Sequence, residues 1–498
     1  MSIATSPTAR TWPRWLIRSM ESSIASVAIL LAASFLLFFY GLGISELWRT
    51  ESLRAIIAQQ MLDSGNWIVP MLYGEALFTK PPGMYIAIAL CSLPLGRVTE
   101  FTARLPSALA ATGCVLLFWW YFKRHLGRAA GLAAALILPM SLMWLDKASS
   151  AEIDTLQVFW VTASLLCFFR ASEDTRSAGP FGWWLAAMLC VAGGFLTKWT
   201  APEFFYGTAL PFLWWRGRLR VLWSRQHLGS AAIAAGLCLT WVGAAVYLEG
   251  WSTFWATVER EGGDRLIPQH GGRPYPWLGA ILHPAKLIAT TLPWSALALL
   301  ALRPNFFRLL DGREQRLLQA MHCWVWPHML FWSLPTEHTP RHSFPLFPGL
   351  AGLAALVWLA WHDGRLTWKV PRIRPARLLA ASLALWFVLK LGFIHVLMPS
   401  RCAGRQAREK GALIAALVPF GSVLYLFRLK DEGIMFYYGR PVLRLHSVDE
   451  LPETRAPVYC ILTQEEWDAW PPACPAEPLR HMTDEQGDPL VLIRVLPS

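Results

Sequence analysis

Lys80 stands directly before Pro81 and Pro82. Proline fixes φ and removes a backbone donor, so two in succession hold the preceding residue on a stiff support. A cation presented from such a support near a lipid head-group plane suits a phosphate, whereas an ordinary interfacial lysine would simply snorkel. Asp154 is a second candidate. It closes the stretch Asp146-Lys147-Ala148-Ser149-Ser150-Ala151-Glu152-Ile153-Asp154 and opens an apolar run. A carboxylate there is disfavoured unless it faces a cavity or serves as a helix N-terminal acid. Lys198 follows Gly193-Gly194-Phe195-Leu196-Thr197 at the end of another apolar run. Glu51 is expected in the first turn of a helix capped by Thr50, with Leu53, Ile56, Ile57 and Met61 on its apolar face and Gly65 at its end. As a helix-dipole partner alone it would contribute under about 1 kcal/mol.

Two further connections gather polar groups. One carries Glu259, Arg260, Glu261, Asp264, Arg265, His270 and Arg273, and the other Glu337, His338, Arg341 and His342. Histidines beside carboxylates can bind metal, but neither HExxH nor another tight ligand spacing occurs. Lys390 lies within the last apolar run, where it either snorkels outward or lines a cavity.

The elements that must position these groups are membrane-like. The chain of 498 residues is 55% apolar and 16% charged, with 28 Trp; soluble domains are nearer 25% charged. Apolar runs near 24–43, 104–121, 129–145, 155–169, 181–197, 200–215, 229–249, 280–301, 317–334, 344–361 and 378–398 predict about eleven spans. The net charge of +12 resides in the connections between them, such as Lys123, Arg124 and Arg128, or Arg216, Arg218, Arg220 and Arg225. That is the pattern of cytoplasmic loops and not of a nucleic-acid surface. Arg10, Arg14 and Arg18 precede the first run, which reads as an uncleaved span with the N-terminus in the cytoplasm. Residues 84–95 are too short to cross and are expected at the interface.

The candidate residues then collect on the outer face, in a first loop at 44–103 and in later outer connections. An odd number of spans also puts residues 400–498 outside. There a helix at 405–417, strands at 422–427, 442–445 and 458–462, helices at Glu432–Tyr438 and 464–470, and a hairpin of 481–483 with 490–495 predict a small α/β domain. The expected architecture is therefore an all-α polytopic membrane domain, residues 1–399, followed by this extracytoplasmic domain. Of nine cysteines, six lie in apolar runs; Cys460 and Cys474 are candidates for a disulfide on an oxidising side.

Several motifs together resemble the polyprenyl-phosphate-sugar-dependent membrane glycosyltransferases of GT-C type, the superfamily of the protein O-mannosyltransferases and the lipid A aminoarabinose transferase. They are Trp48-Arg49-Thr50-Glu51-Ser52-Leu53-Arg54, then Gly74-Glu75 before Lys80-Pro81-Pro82, Ala103-Arg104-Leu105-Pro106-Ser107, Asp154, and Gly194-Phe195-Leu196-Thr197-Lys198. Leu292-Pro293-Trp294-Ser295, Phe344-Pro345-Leu346-Phe347-Pro348 and Phe436-Tyr437-Tyr438-Gly439-Arg440-Pro441 continue the match to nearly the whole chain.

The resemblance implies transfer of a sugar, with inversion, from a polyprenyl-phosphate donor to an extracytoplasmic acceptor, which could be lipid A, a polysaccharide or a protein, at the inner membrane. It implies Lys80 at the donor phosphate, Lys198 near the donor, and Asp154 as the acid of the second outer loop; Arg265 and the Arg341–His342 pair match more loosely. A hydroxyl acceptor needs a general base, for which Asp154 or Glu51 is the candidate. The sequence departs from the pattern at Thr50, where an acid is expected beside Glu51, and at Thr79, where a glutamate linked to a divalent metal is usual. No metal ligand is therefore assigned, although a divalent metal remains compatible with the superfamily. A transporter or flippase of lipid-linked sugars is the rival reading; it calls for polar residues at mid-bilayer and paired broken helices.

Overall fold

The computed structural model describes residues 23–174, 178–256, 259, 275–366, 374–454 and 456–497. Arg265 and the rest of the charged run from 260 to 274 lie outside the described residues.

Helix α1 (Ser23–Ser34) continues as a π-helical turn, Phe35–Phe39, and leads into the first loop. That loop folds as α2 (Thr50–Ser64), a hairpin of β1 (Met71–Leu72) and β2 (Glu75–Ala76), and α3 (Gly83–Ser92). Gly65 ends α2 at φ 71°, as its position predicts. Thr50 does not cap α2, contrary to expectation. It is the first helical residue, preceded by Arg49 at φ 48°, and its hydroxyl is used elsewhere. Helix α3 is about 15 Å long at 1.5 Å per residue, half a bilayer core. Its Met84, Tyr85, Ile88 and Ala89 are buried, in one apolar cluster with Ala55, Ala58 and Met61 of α2.

The remaining helices are α4 (Glu100–Leu126), α5 (Arg128–Ile137), α6 (Leu142–Lys147), α7 (Ile153–Ala171), α8 (Phe181–Phe195), α9 (Ala201–Trp215), α10 (Arg225–Glu249), α11 (Trp277–Thr290), α12 (Trp294–Leu300), α13 (Pro304–Arg308), α14 (Gly312–Phe331), α15 (Phe347–His362) and α16 (Pro375–Gly392). Among the described residues five helical stretches are long and apolar enough to cross a membrane: Glu100–Leu126, Ile153–Ala171, Arg225–Glu249, Pro340–His362 and Pro375–Leu417. Helix α15 is buried on every side from Phe347 to Ala360, so it forms the centre of the bundle. The run at 280–301, read as one span, is instead α11 and α12 meeting at Thr291, Leu292 and Pro293. Pro139 and the Ser141 cap of α6 likewise divide the run at 129–145. Helix α4 starts earlier than its apolar run because Thr99 and Thr102 form a reciprocal capping box.

Beyond α16 the chain continues through α17 (Met398–Arg405) and α18 (Ala407–Leu417) into β3 (Leu424–Leu426), α19 (Glu432–Tyr438), β4 (Val442–Arg444), β5 (Val458–Thr463), α20 (Gln464–Asp468), β6 (Ala476–Thr483) and β7 (Pro489–Val495). The sheet order is β4-β3-β5-β7-β6. Strand β3 pairs parallel to β4 and β5, while β7 pairs antiparallel to β5 and β6.

Period-two alternation gives the sheet two apolar faces. Leu424, Leu426, Ile461 and Leu492 share a core with α2 and α3. Cys460, Leu462, Val491 and Ile493 cluster on the other face with Trp467, Trp470 and Cys474. The expected Cys460–Cys474 disulfide is absent, and both are free thiols. Cys460 is wholly buried, which pushes its thiol up to about 12, whereas Cys474 sits beneath Trp470, whose indole N–H donates to its carbonyl at 2.8 Å.

The sheet region docks on the first loop through α19. The Tyr437 hydroxyl accepts from the Leu47 N–H at 2.9 Å and donates to Glu100 at 3.0 Å. Asp431 accepts from the Ile434 N–H at the start of α19 and from the Glu485 N–H, both at 2.9 Å. Burial, reinforced by the Asp431 charge, pushes the Glu485 carboxyl up to about 8.

A carboxyl with a raised folded pKa contributes stability in full below its ordinary pKa, and that contribution is lost as pH rises through the folded value. The melting temperature of the protein should therefore fall between about pH 5 and pH 8, and Glu485→Gln should flatten that decline. Thermal melts of both proteins across this range, followed by circular dichroism, make the comparison; parallel curves would contradict it.

Candidate active site

The first loop is anchored by one arginine of α4. All five N–H donors of Arg104 are engaged: Nε and Nη2 with Glu51 at 2.9 and 3.0 Å, Nη1 with the Leu42 and Ser45 carbonyls at 2.9 Å, and Nη2 again with the Glu46 carbonyl at 2.9 Å. Glu51 also accepts the Ala151 N–H at 2.8 Å. Burial pushes the Glu51 carboxyl up, but the Arg104 charge and these hydrogen bonds outweigh it and hold it below its ordinary 4.5. Glu51 thus ties the first loop to the 146–152 connection, and both of its oxygens are occupied.

Thr50 donates to Glu152 Oε1 at 2.9 Å. Glu152 also faces Arg54, whose Nη1 lies 3.0 Å from Oε2, and Lys147, at 3.9 Å from Oε1. Arg54 spends its hydrogen bonds on the Thr50 and Ala151 carbonyls, so Glu152 Oε2 accepts none. Burial pushes Lys147 down, but Glu152 and Asp146 outweigh it and hold the ammonium above its ordinary range.

Thr50, Glu51, Arg104, Lys147 and Glu152 line a cavity of about 380 Å³ between the first loop, the 146–152 connection and the chain from α16 into α17. Its basic wall includes Arg49, Lys147, Arg341, Lys390, Arg401 and Arg405. Lys390 faces inward: it is 1% exposed and donates to the Ser149 hydroxyl at 2.6 Å. Two guanidinium groups, those of Arg49 and Arg405, lie over the Trp48 ring, each 4.5 Å from its centroid. A cavity with this lining suits an anionic ligand.

A second group adjoins the cavity. Lys198 donates to Asp154 at 2.8 Å, and both side chains are less than a tenth exposed. The charges of Arg341 and Lys147, which line the cavity, also bear on Asp154. The turn that carries Lys80 packs on the segment that carries Lys198, because the Gly83 N–H donates to the Leu196 carbonyl at 2.7 Å. Lys80 itself is half-buried, with its ammonium donating to the Thr79 carbonyl at 2.7 Å.

Gly83 has no room for a side chain. A Cβ there would stand 2.6 Å from the Leu196 carbonyl oxygen and 2.9 Å from the Thr197 hydroxyl. Gly83→Ala should therefore part the two lysine-bearing segments and destabilise the protein by about 1–3 kcal/mol. Chemical melts would show the loss; an unchanged protein would contradict the packing described.

Of the residues expected from sequence, the structure brings Glu51 and Arg341 to the cavity, sets the Asp154–Lys198 pair within the field of its Arg341 and Lys147, and places Lys80 on the turn that packs against the Lys198 segment. His342 does not join them. It is buried against Trp332, with ring centroids 5.7 Å apart, and faces Glu337 at 3.8 Å. Arg104 and Glu152, named in sequence only within longer stretches, and the pair Arg401 and Arg405 were given no role there. The i, i+4 spacing of the last two was the available signal, since it places both on one helix face. Among the described residues no three His, Cys, Asp or Glu side chains assemble as a metal-ligand set. Thr79, directly before Lys80, offers a hydroxyl and no carboxylate.

The chain has the GT-C fold of membrane glycosyltransferases. It superposes on the crystal structure of ArnT from Cupriavidus metallidurans bound to undecaprenyl phosphate with a TM-score of 0.73 at 17% identity, covering 95% of this chain and 98% of that one. The apo form of the same protein gives 0.70, covering 94% and 97%. Residues 79–243 match the family model described as dolichyl-phosphate-mannose-protein mannosyltransferase. The sequence is 31% identical over 338 residues to an undecaprenyl phosphate-alpha-4-amino-4-deoxy-L-arabinose arabinosyl transferase of Pseudomonas aeruginosa. That alignment covers 65% of this chain and 58% of the relative, so the chain spans little more than half the length of the curated relatives it matches.

Proposed function

We propose that this protein is a glycosyltransferase of the inner membrane that moves a sugar from a polyprenyl-phosphate donor onto an extracytoplasmic acceptor, with inversion. The acceptor is lipid A, a polysaccharide or a protein. The observation that carries this reading is the docking of the Lys80 turn onto the Lys198 segment beside a cavity walled by cations. A leaving phosphate gains charge as the sugar–oxygen bond breaks, and fixed cations in a water-poor site stabilise that charge most. Lys80 and Arg341 are assigned to that task. Asp154 is assigned to holding Lys198 charged and in place, a positioning role.

About eleven spans, an N-terminus in the cytoplasm and a sheet region beginning near residue 400 on the outer side complete the proposal. This topology explains a lipid-borne donor, since it places the site away from the compartment of nucleotide sugars. Mass spectrometry of envelope lipids, glycans and proteins from cells with and without the protein tests it. One acceptor class should lose the mass of one sugar residue when the protein is absent, and identical envelopes would refute the proposal.

A further inference from the structure

Given the transfer reaction proposed above, on which this inference rests, we propose that Glu152 is the general base for a hydroxyl acceptor, taking the part of the acid that Thr50 lacks. Three carboxylates compete for the role, and geometry separates them. Glu51 has both oxygens engaged by Arg104 and the Ala151 N–H. Asp154 is closed off by Lys198, with 3% of its side chain exposed. Glu152 lines the cavity with 10% of its side chain exposed; its Oε2 is buried 3.0 Å from Arg54 Nη1, which leaves Oε1 as the oxygen that can meet an acceptor. The Thr50 hydroxyl donates to that Oε1 at 2.9 Å and leaves it a second lone pair, so the residue that replaces the expected acid positions the carboxylate.

In the step, the acceptor oxygen attacks the anomeric carbon, and its proton passes to Glu152 Oε1. The bond from the anomeric carbon to the phosphate oxygen breaks, and its electron pair leaves with the polyprenyl phosphate. Glu152 becomes a neutral acid and returns its proton to solvent after the product departs. An acceptor phosphate would already be anionic and would need no such base, so the assignment also specifies a hydroxyl as the nucleophile.

The test uses purified full-length protein, an undecaprenyl-phosphate-linked sugar carrying a label, and envelope extract as the source of acceptor. Glu152→Gln should lower transfer by about 100-fold or more and leave undecaprenyl phosphate binding unchanged. Thr50→Asp should restore much of the activity in the Glu152→Gln background, yet lower it in the otherwise unaltered protein, where two carboxylates would crowd each other. A residue with a purely structural role would not be rescued in this way. Should Glu152→Gln fail to fold, Glu152→Asp keeps the charge facing Arg54 but withdraws it by one methylene; a tenfold or greater fall in kcat at unchanged donor affinity is then expected. Wild-type transfer by Glu152→Gln or Glu152→Asp, or loss without rescue by Thr50→Asp, would overturn the assignment. Absence of transfer by the wild-type protein would instead overturn the glycosyltransferase reading, and this proposal with it.

Discussion

Lys80→Ala is expected to lower sugar transfer by about 100-fold or more while the protein keeps its fold. Removing one preorganised group that stabilises developing charge typically has an effect of this size. The fold should survive because Lys80 is only half-buried, and because the docking of its turn runs through the Gly83 N–H and not through the lysine side chain. Stability should stay within about 0.5 kcal/mol of wild type. Lys80→Arg should restore charge but not activity, since a planar guanidinium does not replace a compact ammonium on a rigid turn. Initial rates with a labelled donor, set beside melting curves, check both parts. Wild-type rates for Lys80→Ala would remove the residue from the site.

Asp154→Asn should have the largest effect on stability. It leaves the Lys198 ammonium buried beside a neutral amide, and breaking a buried pair on one side costs about 3–5 kcal/mol. Transfer should fall as well, because Lys198 would lose the partner that fixes it 2.8 Å away. The double variant Asp154→Asn with Lys198→Met separates the two effects. Replacing a whole buried pair with uncharged groups is often close to neutral for stability, so the double variant should regain much of the lost melting temperature while remaining inactive. Activity in the double variant would show that the pair serves the fold alone.

How far these groups could be read from sequence depended on whether their partners are local. Glu432–Tyr438 and the Gly65 terminus of α2 follow from capping and periodicity within one turn, and both stand as expected. Thr50 was read as a cap because its local context is that of one. Its actual partner, Glu152, lies 102 residues further along, and no local propensity signals such a contact. Arg104 was legible only as part of a matching motif, without a role, for the same reason: its acceptors are spread over Leu42, Ser45, Glu46 and Glu51, and only the folded loop gathers them. Lys390 could snorkel or line a cavity on sequence alone, and Ser149, 241 residues away, decides it. The Cys460–Cys474 pair was suggested by compartment, but Cys460 turns into the apolar face of the sheet beside Leu462 and Ile493. The lysine and acid motifs were legible because their chemistry is carried by short runs; the division of work among the carboxylates required tertiary contacts.

The most direct measurement follows both halves of a doubly labelled undecaprenyl-phosphate sugar in liposomes containing the purified protein and envelope acceptor. Sugar label should become covalently bound to acceptor while undecaprenyl phosphate is released in equal amount, both dependent on Lys80. Movement of intact donor across the bilayer, with the sugar–phosphate bond unbroken, would contradict it and identify a transporter instead.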